Sequence, residues 1–145
     1  MYELTKKKNL ATKIILGLLA LFIINTALKF IFKQPEATIN DDLMKIASEI
    51  NKHTPITVDS MTRLDNVTAL TGNKLQYTYT ITKASKENID TTIVLASTKE
   101  NMINMIKSNP KTKYFRENKI DIIVNYLDKN GFYVCMLAIS HNDYK

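Results

Sequence analysis

The side chains in this sequence that are best suited to chemistry are a few basic and amide groups around a predicted β-hairpin. Arg63 lies in an extended segment, Lys74 lies in the turn that follows it, and Gln76 lies on the polar side of the next strand. His53 precedes this segment, and Arg116 lies further along the chain. A guanidinium group can grip a phosphate through two parallel hydrogen bonds, which an ammonium group cannot do. These five residues are the predicted ligand-binding set, and the predicted chemistry is the capture of an anion.

The two arginines of this set also have ordinary structural interpretations. Arg63 has Asp59 and Asp65 near it in sequence, and Arg116 is followed directly by Glu117. Ion pairs with these carboxylates would explain both arginines without any ligand. The sequence leaves both interpretations open.

Two tyrosines next to this set have two possible roles as well. Tyr77 and Tyr79 would stack on bases if the sheet bound nucleotides, as aromatic side chains do on single-stranded nucleic acids. They alternate with Gln76, Thr78 and Thr80, however, and this period of two places both rings on the apolar side of the strand. The alternation favours the interpretation that both tyrosines belong to the core.

Catalytic and metal chemistry have no matching pattern in the sequence. His53 and His141 lie in different predicted elements, and no group of His, Cys, Asp and Glu has the spacing of a zinc site. Cys135 is the single cysteine, and its apolar neighbours predict a core or interface side chain rather than a nucleophile. With 3 glycines in the chain, no Gly-rich phosphate loop is present. The sequence predicts a binding protein without a cofactor, not an enzyme.

Helices and hairpins must position these residues. The first helix is predicted to begin after Thr38 or Asn40 and to end before Pro55. A hairpin turning at residues 71–74 follows, then a helix over residues 91–108, then a second hairpin. The predicted fold class is α+β, with an antiparallel four-stranded sheet made of two hairpins and two helices packed on it.

A separate apolar segment begins at Ile14 and ends at Phe32. At about 1.5 Å per residue, this segment and its flanks are long enough to span a hydrocarbon core of roughly 30 Å. It predicts an N-terminal transmembrane helix. Asn25 and Thr26 are polar residues in its middle, and such side chains can hydrogen-bond between packed helices.

The predicted organisation is therefore a basic segment with a transmembrane helix over residues 1–35 and a soluble ligand-binding domain over residues 36–145. The positive-inside rule leans towards an N-terminus inside and a C-terminal domain outside, but lysines flank the apolar segment on both sides, so the side of the membrane stays open. The single cysteine excludes an intramolecular disulfide and favours a cytoplasmic domain. The predicted location is the cell (inner) membrane with a single pass. The formal charge of +6 suits anionic partners, including the lipid bilayer.

Part of the sequence resembles a widespread group of small bacterial domains. Two stretches carry the resemblance, TPITVDSMTRLDNVTALTGNKLQYTYTI and YFRENKIDIIVNYLDKNGFYV, and the likeness covers most of residues 38–140. The shared pattern is a VD–TRLDN strand, a GN-L-Y-YT strand and a terminal hairpin turning on Asp-Lys-Asn-Gly. The resemblance implies a secreted or lipid-anchored domain with the pilotin-like α+β architecture of secretion accessories. Many such domains carry a cysteine pair, whose positions are held here by Thr54 and a residue near Lys107.

The layout of the chain also resembles the small membrane effector of type III CRISPR systems. The likeness lies in a short N-terminal membrane helix followed by a basic domain of this size without a catalytic motif. It implies a cytoplasmic domain that binds cyclic tetra-adenylate, assembles as a homo-tetramer and perturbs the membrane in antiviral defence. Under this interpretation Arg63, Lys74 and His53 would hold the phosphates of the cyclic oligoadenylate, and long nucleic acids would not be partners.

Two hypotheses from different classes therefore follow from the sequence. The first is a nucleotide-sensing membrane effector that binds a cyclic oligoadenylate. The alternative is an envelope accessory protein whose anchored pilotin-like domain binds a protein partner.

Overall fold

A computed structural model of the protein describes residues 38–145. The helices and strands are α1 Ile39–Asn51, β1 Ile56–Thr57, β2 Thr62–Leu70, β3 Lys74–Ile81, α2 Thr91–Ser108, α3 Lys113–Glu117, β4 Asp121–Leu127 and β5 Tyr133–Ile139. Short 3-10 turns lie at Lys86–Asn88, Pro110–Thr112 and His141–Tyr144. The five strands form one sheet in the order β1-β2-β3-β4-β5.

The two long helices have the ends that the sequence predicts. Thr38 caps α1 through a capping box with Asp41, in which each side chain accepts a hydrogen bond from the other residue's backbone N–H. The side chain of Asp90 caps α2 by accepting hydrogen bonds from the backbone N–H groups of Thr92 and Ile93. These caps satisfy donors that a helix leaves free at its N-terminus, so they help to fix where both helices begin.

The predicted sheet of four antiparallel strands is wrong in the direction of one pairing. β2 and β3 pair antiparallel, as do β4 and β5, but β3 and β4 pair parallel, with Lys74 opposite Asp121 and Thr80 opposite Leu127. α2 lies between β3 and β4 in the chain and carries it back to the end of the sheet where β3 begins. Parallel neighbours need a crossover of this kind, usually through a helix.

The predicted number of strands is also wrong, because β1 makes the sheet five-stranded. The sequence predicts one extended segment here, but the chain reverses after Thr57, and β1 pairs antiparallel with the start of β2. The reversal is held by Asp59, whose Oδ1 accepts hydrogen bonds from the backbone N–H groups of Met61 at 2.7 Å and Thr62 at 2.8 Å. Such an Asx turn replaces ladder bonds with a side-chain acceptor.

The predicted fold counts two helices and is wrong in that number, because α3 is a third helix where the sequence pattern indicates only one or two short helical turns over residues 111–118. Its five residues follow a 3-10 turn that begins at Pro110, where α2 has ended. Its short length and its 3-10 start give it no clear helical period in the sequence.

The two faces of the sheet differ in what covers them. The face under the helices carries the alternating buried residues of β3 to β5, and these cluster with Leu43 and Ile46 of α1 and with Met102 and Ile106 of α2. We call this the inner face. The residues between them, such as Gln76, belong to the outer face, on which the described part of the chain places no helix.

Among residues 38–145, no helix is both long enough and apolar enough to cross a membrane. The predicted transmembrane segment that begins at Ile14 and ends at Phe32, with Asn25 and Thr26 inside it, lies outside the described residues.

Candidate functional site

A cavity of about 240 Å³ opens on the inner face, between the first half of α2 and the β1–β2 connection. Tyr79 and Ile81 of β3 and Tyr126 of β4 contribute side chains from the sheet. The remaining lining comes from the two sides and from α2: Val58, Asp59, Met61, Thr62, Ala84, Asn88, Ile89, Asp90, Ile93, Val94 and Thr98. We call it the Tyr79 cavity. Most of its lining is apolar, as in pockets that hold organic ligands or side chains of partners.

Two residues of the lining each carry a buried polar atom that has no hydrogen-bond partner among the described residues. These are Oδ2 of Asp59 and the hydroxyl of Tyr79, a residue that is only 2% exposed. The neighbouring hydroxyl of Tyr126 lies 3.4 Å from Oγ1 of Thr98, within hydrogen-bond range. Since most buried polar atoms in proteins are paired, two unpaired ones in one cavity indicate a place where a ligand would supply the missing partners.

The tyrosine hydroxyls of the cavity are protonated at neutral pH. Burial raises the pKa of Tyr79 well above its ordinary value. Burial also raises the pKa of Tyr126 to about 12, and the negative charge of Asp59 adds to this effect. Both hydroxyls can therefore donate as well as accept hydrogen bonds.

The edge of the cavity is positioned by a carboxylate outside it. Asp128 follows β4 and accepts hydrogen bonds from the backbone N–H groups of Asn130 and Phe132, and also from that of Lys86, which precedes α2. The backbone N–H of Lys129 donates to the carbonyl of Ala84, which lines the cavity. The β4–β5 turn thus holds the segment that leads into α2.

Within residues 38–145, no group of three or more His, Cys, Asp and Glu side chains is placed to hold a metal ion. Cys135 is buried on β5, and burial raises the pKa of its thiol. A raised pKa keeps the sulfur in the thiol form, which is the poorer nucleophile.

Arg63 and Gln76 of the predicted anion-binding set lie on the outer face, away from the Tyr79 cavity. Nε of Arg63 donates a hydrogen bond to Oδ1 of Asp65 at 2.5 Å, and the other oxygen of Asp65 accepts one from Thr80. Arg63 therefore pairs with Asp65, one of the two carboxylates near it in sequence. The other, Asp59, stabilises the β1–β2 turn.

The other three residues of the predicted set are spread over the domain. Lys74 is the first residue of β3 and lies opposite Asp121 on β4. Burial of Asp121 opposes its ionisation. The hydrogen bonds from His141 and the charge of Lys74 outweigh this effect and lower the pKa of Asp121. His53 is exposed in the turn after α1. Arg116 donates from Nη1 to the carbonyl oxygens at the end of α2, those of Ile106 and Asn109. Anion binding by the five residues stays a prediction, and these positions do not form one cluster.

The sequence patterns assign no role to the Tyr79 cavity. They place Tyr77 and Tyr79 in the core, and both rings are buried there. The available signal was the choice of tyrosine instead of phenylalanine at inward positions, since each buried hydroxyl needs a partner. Asp59 appeared only as a partner for Arg63. Its role at the cavity depends on the β1–β2 reversal, which the sequence pattern did not reveal.

Three solved structures share this fold. A candidate secreted protein from Pseudomonas aeruginosa has a TM-score of 0.56 and 13% identity, with 77% of this chain and 100% of that chain covered. The type II secretion system pilotin AspS from Vibrio cholerae has a TM-score of 0.55 and 12% identity, covering 72% and 91%. The pilotin EpsS from the Vibrio vulnificus type 2 secretion system has a TM-score of 0.58 and 6% identity, covering 74% and 92%.

At these identities the likeness shows the fold alone, and it is the pilotin-like α+β fold that the first sequence resemblance implies. These neighbours are described as two pilotins and a candidate secreted protein, and none of the three descriptions refers to CRISPR or to antiviral defence. The assignment of the chain to antiviral defence is therefore wrong, and the cyclic oligoadenylate ligand and the tetramer that came with it have no support.

No curated protein matches the sequence. A family model does match it, over residues 38–132, and the matched region begins at the cap of α1 and ends after β4. It includes the whole lining of the Tyr79 cavity. The match covers well over half of the sequence, and the chain therefore belongs to the family described as a domain of unknown function, DUF8479.

Proposed function

We propose that this chain is an accessory protein of the cell envelope and that its α+β domain binds an apolar segment of a protein partner in the Tyr79 cavity. The proposal is for a binding role rather than for catalysis. The observation that carries it is the cavity itself: an apolar-lined opening on the inner face whose lining residues include two unpaired polar atoms. The fold likeness to two type II secretion pilotins supports the accessory role.

The edge of the cavity favours a macromolecular partner over a small enclosed ligand. Ile93 lines the cavity from α2 and is 49% exposed, so an apolar surface continues from the cavity onto the outside of the helix. A partner segment can cover such a rim while one of its side chains enters the cavity. Apolar patches with a pocket and a polar surround are typical of protein-interaction sites.

Ile93 and Met44 give a matched pair of positions to test this proposal. Both are exposed apolar residues on helices, 49% and 51% exposed, but Met44 lies on α1, away from the Tyr79 cavity. A photo-crosslinking amino acid at position 93 of the full chain is expected to attach to one identified envelope protein in cells, and the same amino acid at position 44 is not. Ile93→Asn should weaken binding of that purified protein at least tenfold, because it places a polar amide at an apolar rim without adding a charge.

Met44→Asn should leave the affinity for that protein unchanged. Equal loss in the two variants, or equal crosslinking from the two positions, would contradict the proposal.

The envelope location has its own test, which is alkaline phosphatase fused after Lys145. The enzyme is active only outside the cytoplasm, so an inactive fusion that is stably produced would exclude an exported domain.

A further inference from the structure

The described lining of the Tyr79 cavity carries acidic side chains and no basic ones. Asp59 and Asp90 are the carboxylates in its lining, and no lysine, arginine or histidine is among the described residues that line it. This holds in a chain whose formal net charge is +6. An anionic occupant would meet two carboxylates without a compensating cation, so the charge of the cavity selects against anions.

The two carboxylates are not equivalent. Oδ1 of Asp90 accepts hydrogen bonds from the backbone N–H groups of Thr92 and Ile93, and Asp90 is exposed at the start of α2. Asp59 uses only Oδ1 for its two backbone hydrogen bonds, and its Oδ2 is buried without a partner among residues 38–145. The wall of the cavity therefore contains one carboxylate oxygen that is shielded from water and still needs a donor. A buried polar atom of this kind is costly unless a donor pairs with it.

We propose that the Tyr79 cavity binds a basic side chain, a lysine or an arginine, that projects from the apolar segment of the partner. This inference rests on the function proposed above and specifies the chemistry of the bound segment. The cationic head would donate hydrogen bonds to Oδ2 of Asp59 and to the hydroxyl oxygen of Tyr79. The methylene stem would pack on Ile81, Ile89 and Val94, which suits long basic side chains because their stems are apolar and their heads are charged.

The dimensions of the cavity agree with this occupant. Its volume of about 240 Å³ is well above the roughly 30 Å³ that one water molecule occupies, so a long side chain has room.

Three small probes that differ only in the head group test the inference on the purified full chain. They are n-hexylammonium, 1-hexanol and hexanoate, and the readout is the NMR chemical shift of the methyl groups of Ile81 and Ile89. We expect hexylammonium to bind at least tenfold more tightly than hexanol and hexanoate to bind most weakly. Equal affinity for the ammonium and the alcohol would overturn the inference while leaving an apolar binding site intact. If none of the probes moved the methyl signals, the cavity would not admit ligands and the proposed function would fail as well.

One substitution connects this preference to a single atom. Asp59→Asn keeps an Oδ1 that can accept from Met61 and Thr62, so the β1–β2 turn is retained, but it replaces the unpaired carboxylate oxygen with an N–H donor. The tenfold preference for hexylammonium over hexanol should disappear in this variant. Asp65→Asn is the matched control, because it makes the same chemical change on the outer face and should keep the preference. Persistence of the preference in Asp59→Asn would overturn the assignment to Asp59.

Discussion

Two regions of the inner face deal with buried polar groups in opposite ways. Where α1 packs on β2, the amide of Asn51 donates to the carbonyl of Val67 at 2.7 Å and accepts from the N–H of the same residue at 2.8 Å. Near the start of β4, the buried hydroxyl of Tyr144 donates to the carbonyl of Ile120. We call the sites of these three hydrogen bonds the closed region. In the Tyr79 cavity, by contrast, Oδ2 of Asp59 and the hydroxyl of Tyr79 are unpaired.

This difference separates residues that stabilise the fold from residues that are available for binding. A polar group that already has a partner inside the protein contributes to stability and has nothing left for a ligand. A buried polar group without a partner lowers stability until a ligand completes it. The comparison therefore predicts that polar deletions in the closed region cost stability, whereas the same deletions in the cavity cost little stability and change binding.

The largest effect is expected for Asn51→Ala. The change removes two hydrogen bonds and leaves the backbone N–H and carbonyl of buried Val67 without their partner, which should lower the free energy of unfolding by about 2 kcal/mol. Urea denaturation measures this loss. Asn66→Ala is the control, because Asn66 is exposed on β2 and its amide donates only to the hydroxyl of Thr68. A change within about 0.5 kcal/mol is expected there. Similar losses in both variants would remove the distinction drawn for the closed region.

Two tyrosine-to-phenylalanine changes, each of which removes one buried hydroxyl, are expected to differ in stability by a smaller amount. Tyr144→Phe removes a hydrogen bond to the carbonyl of Ile120 and should lower the free energy of unfolding by about 1 kcal/mol. Tyr79→Phe removes a buried hydroxyl that has no partner among the described residues, so the free energy of unfolding should stay the same or rise. Thermal or urea denaturation of the two variants gives the comparison. A clear loss of stability in Tyr79→Phe would show that its hydroxyl is already paired in the free protein.

The sequence predicted the helices and the turns better than the cavity, because helices and turns depend on local patterns. α1 follows from its cap at Thr38 and from apolar residues at helical spacing, and α2 follows in the same way. The hairpin turns follow from Gly72 and Gly131, both of which have positive φ values, of 78° and 83°. Each of these features is contained in a short window of sequence.

The cavity depends on contacts between distant parts of the chain. Asp59 reaches it because β1 folds back on β2, and Tyr126 reaches it because β4 lies parallel to β3. Neither arrangement has a signal in local periodicity, since an alternating strand has the same pattern in a parallel or an antiparallel pair. The missing partner of an atom is also a property of the whole fold. Composition and spacing identified the lysines and arginines but not the two carboxylates of the cavity.

The smallest expected effect is the loss of the stability that Asp128, at the edge of the cavity, contributes as the pH falls. Burial of Asp128 opposes its ionisation, but hydrogen bonds from the backbone N–H groups of Phe132, Lys86 and Asn130 outweigh this and lower its pKa in the folded state. A carboxylate with a lowered pKa contributes stability that is fully present above its unfolded pKa of about 3.9 and is lost as the pH falls through the folded value. Asp128 accounts for only part of the loss in acid, because the pKa of Asp41 and of Asp121 is also lowered.

Asp128→Asn should therefore be less stable than the wild type at pH 7, and the difference should shrink as the pH falls below about 4. Denaturation with urea at a series of pH values measures the two curves. The same variant loosens the link between the β4–β5 turn and the segment that leads into α2, so at pH 7 it should also weaken binding of n-hexylammonium in the Tyr79 cavity. A constant difference in stability at all pH values would mean that the charge of Asp128 does not hold this edge.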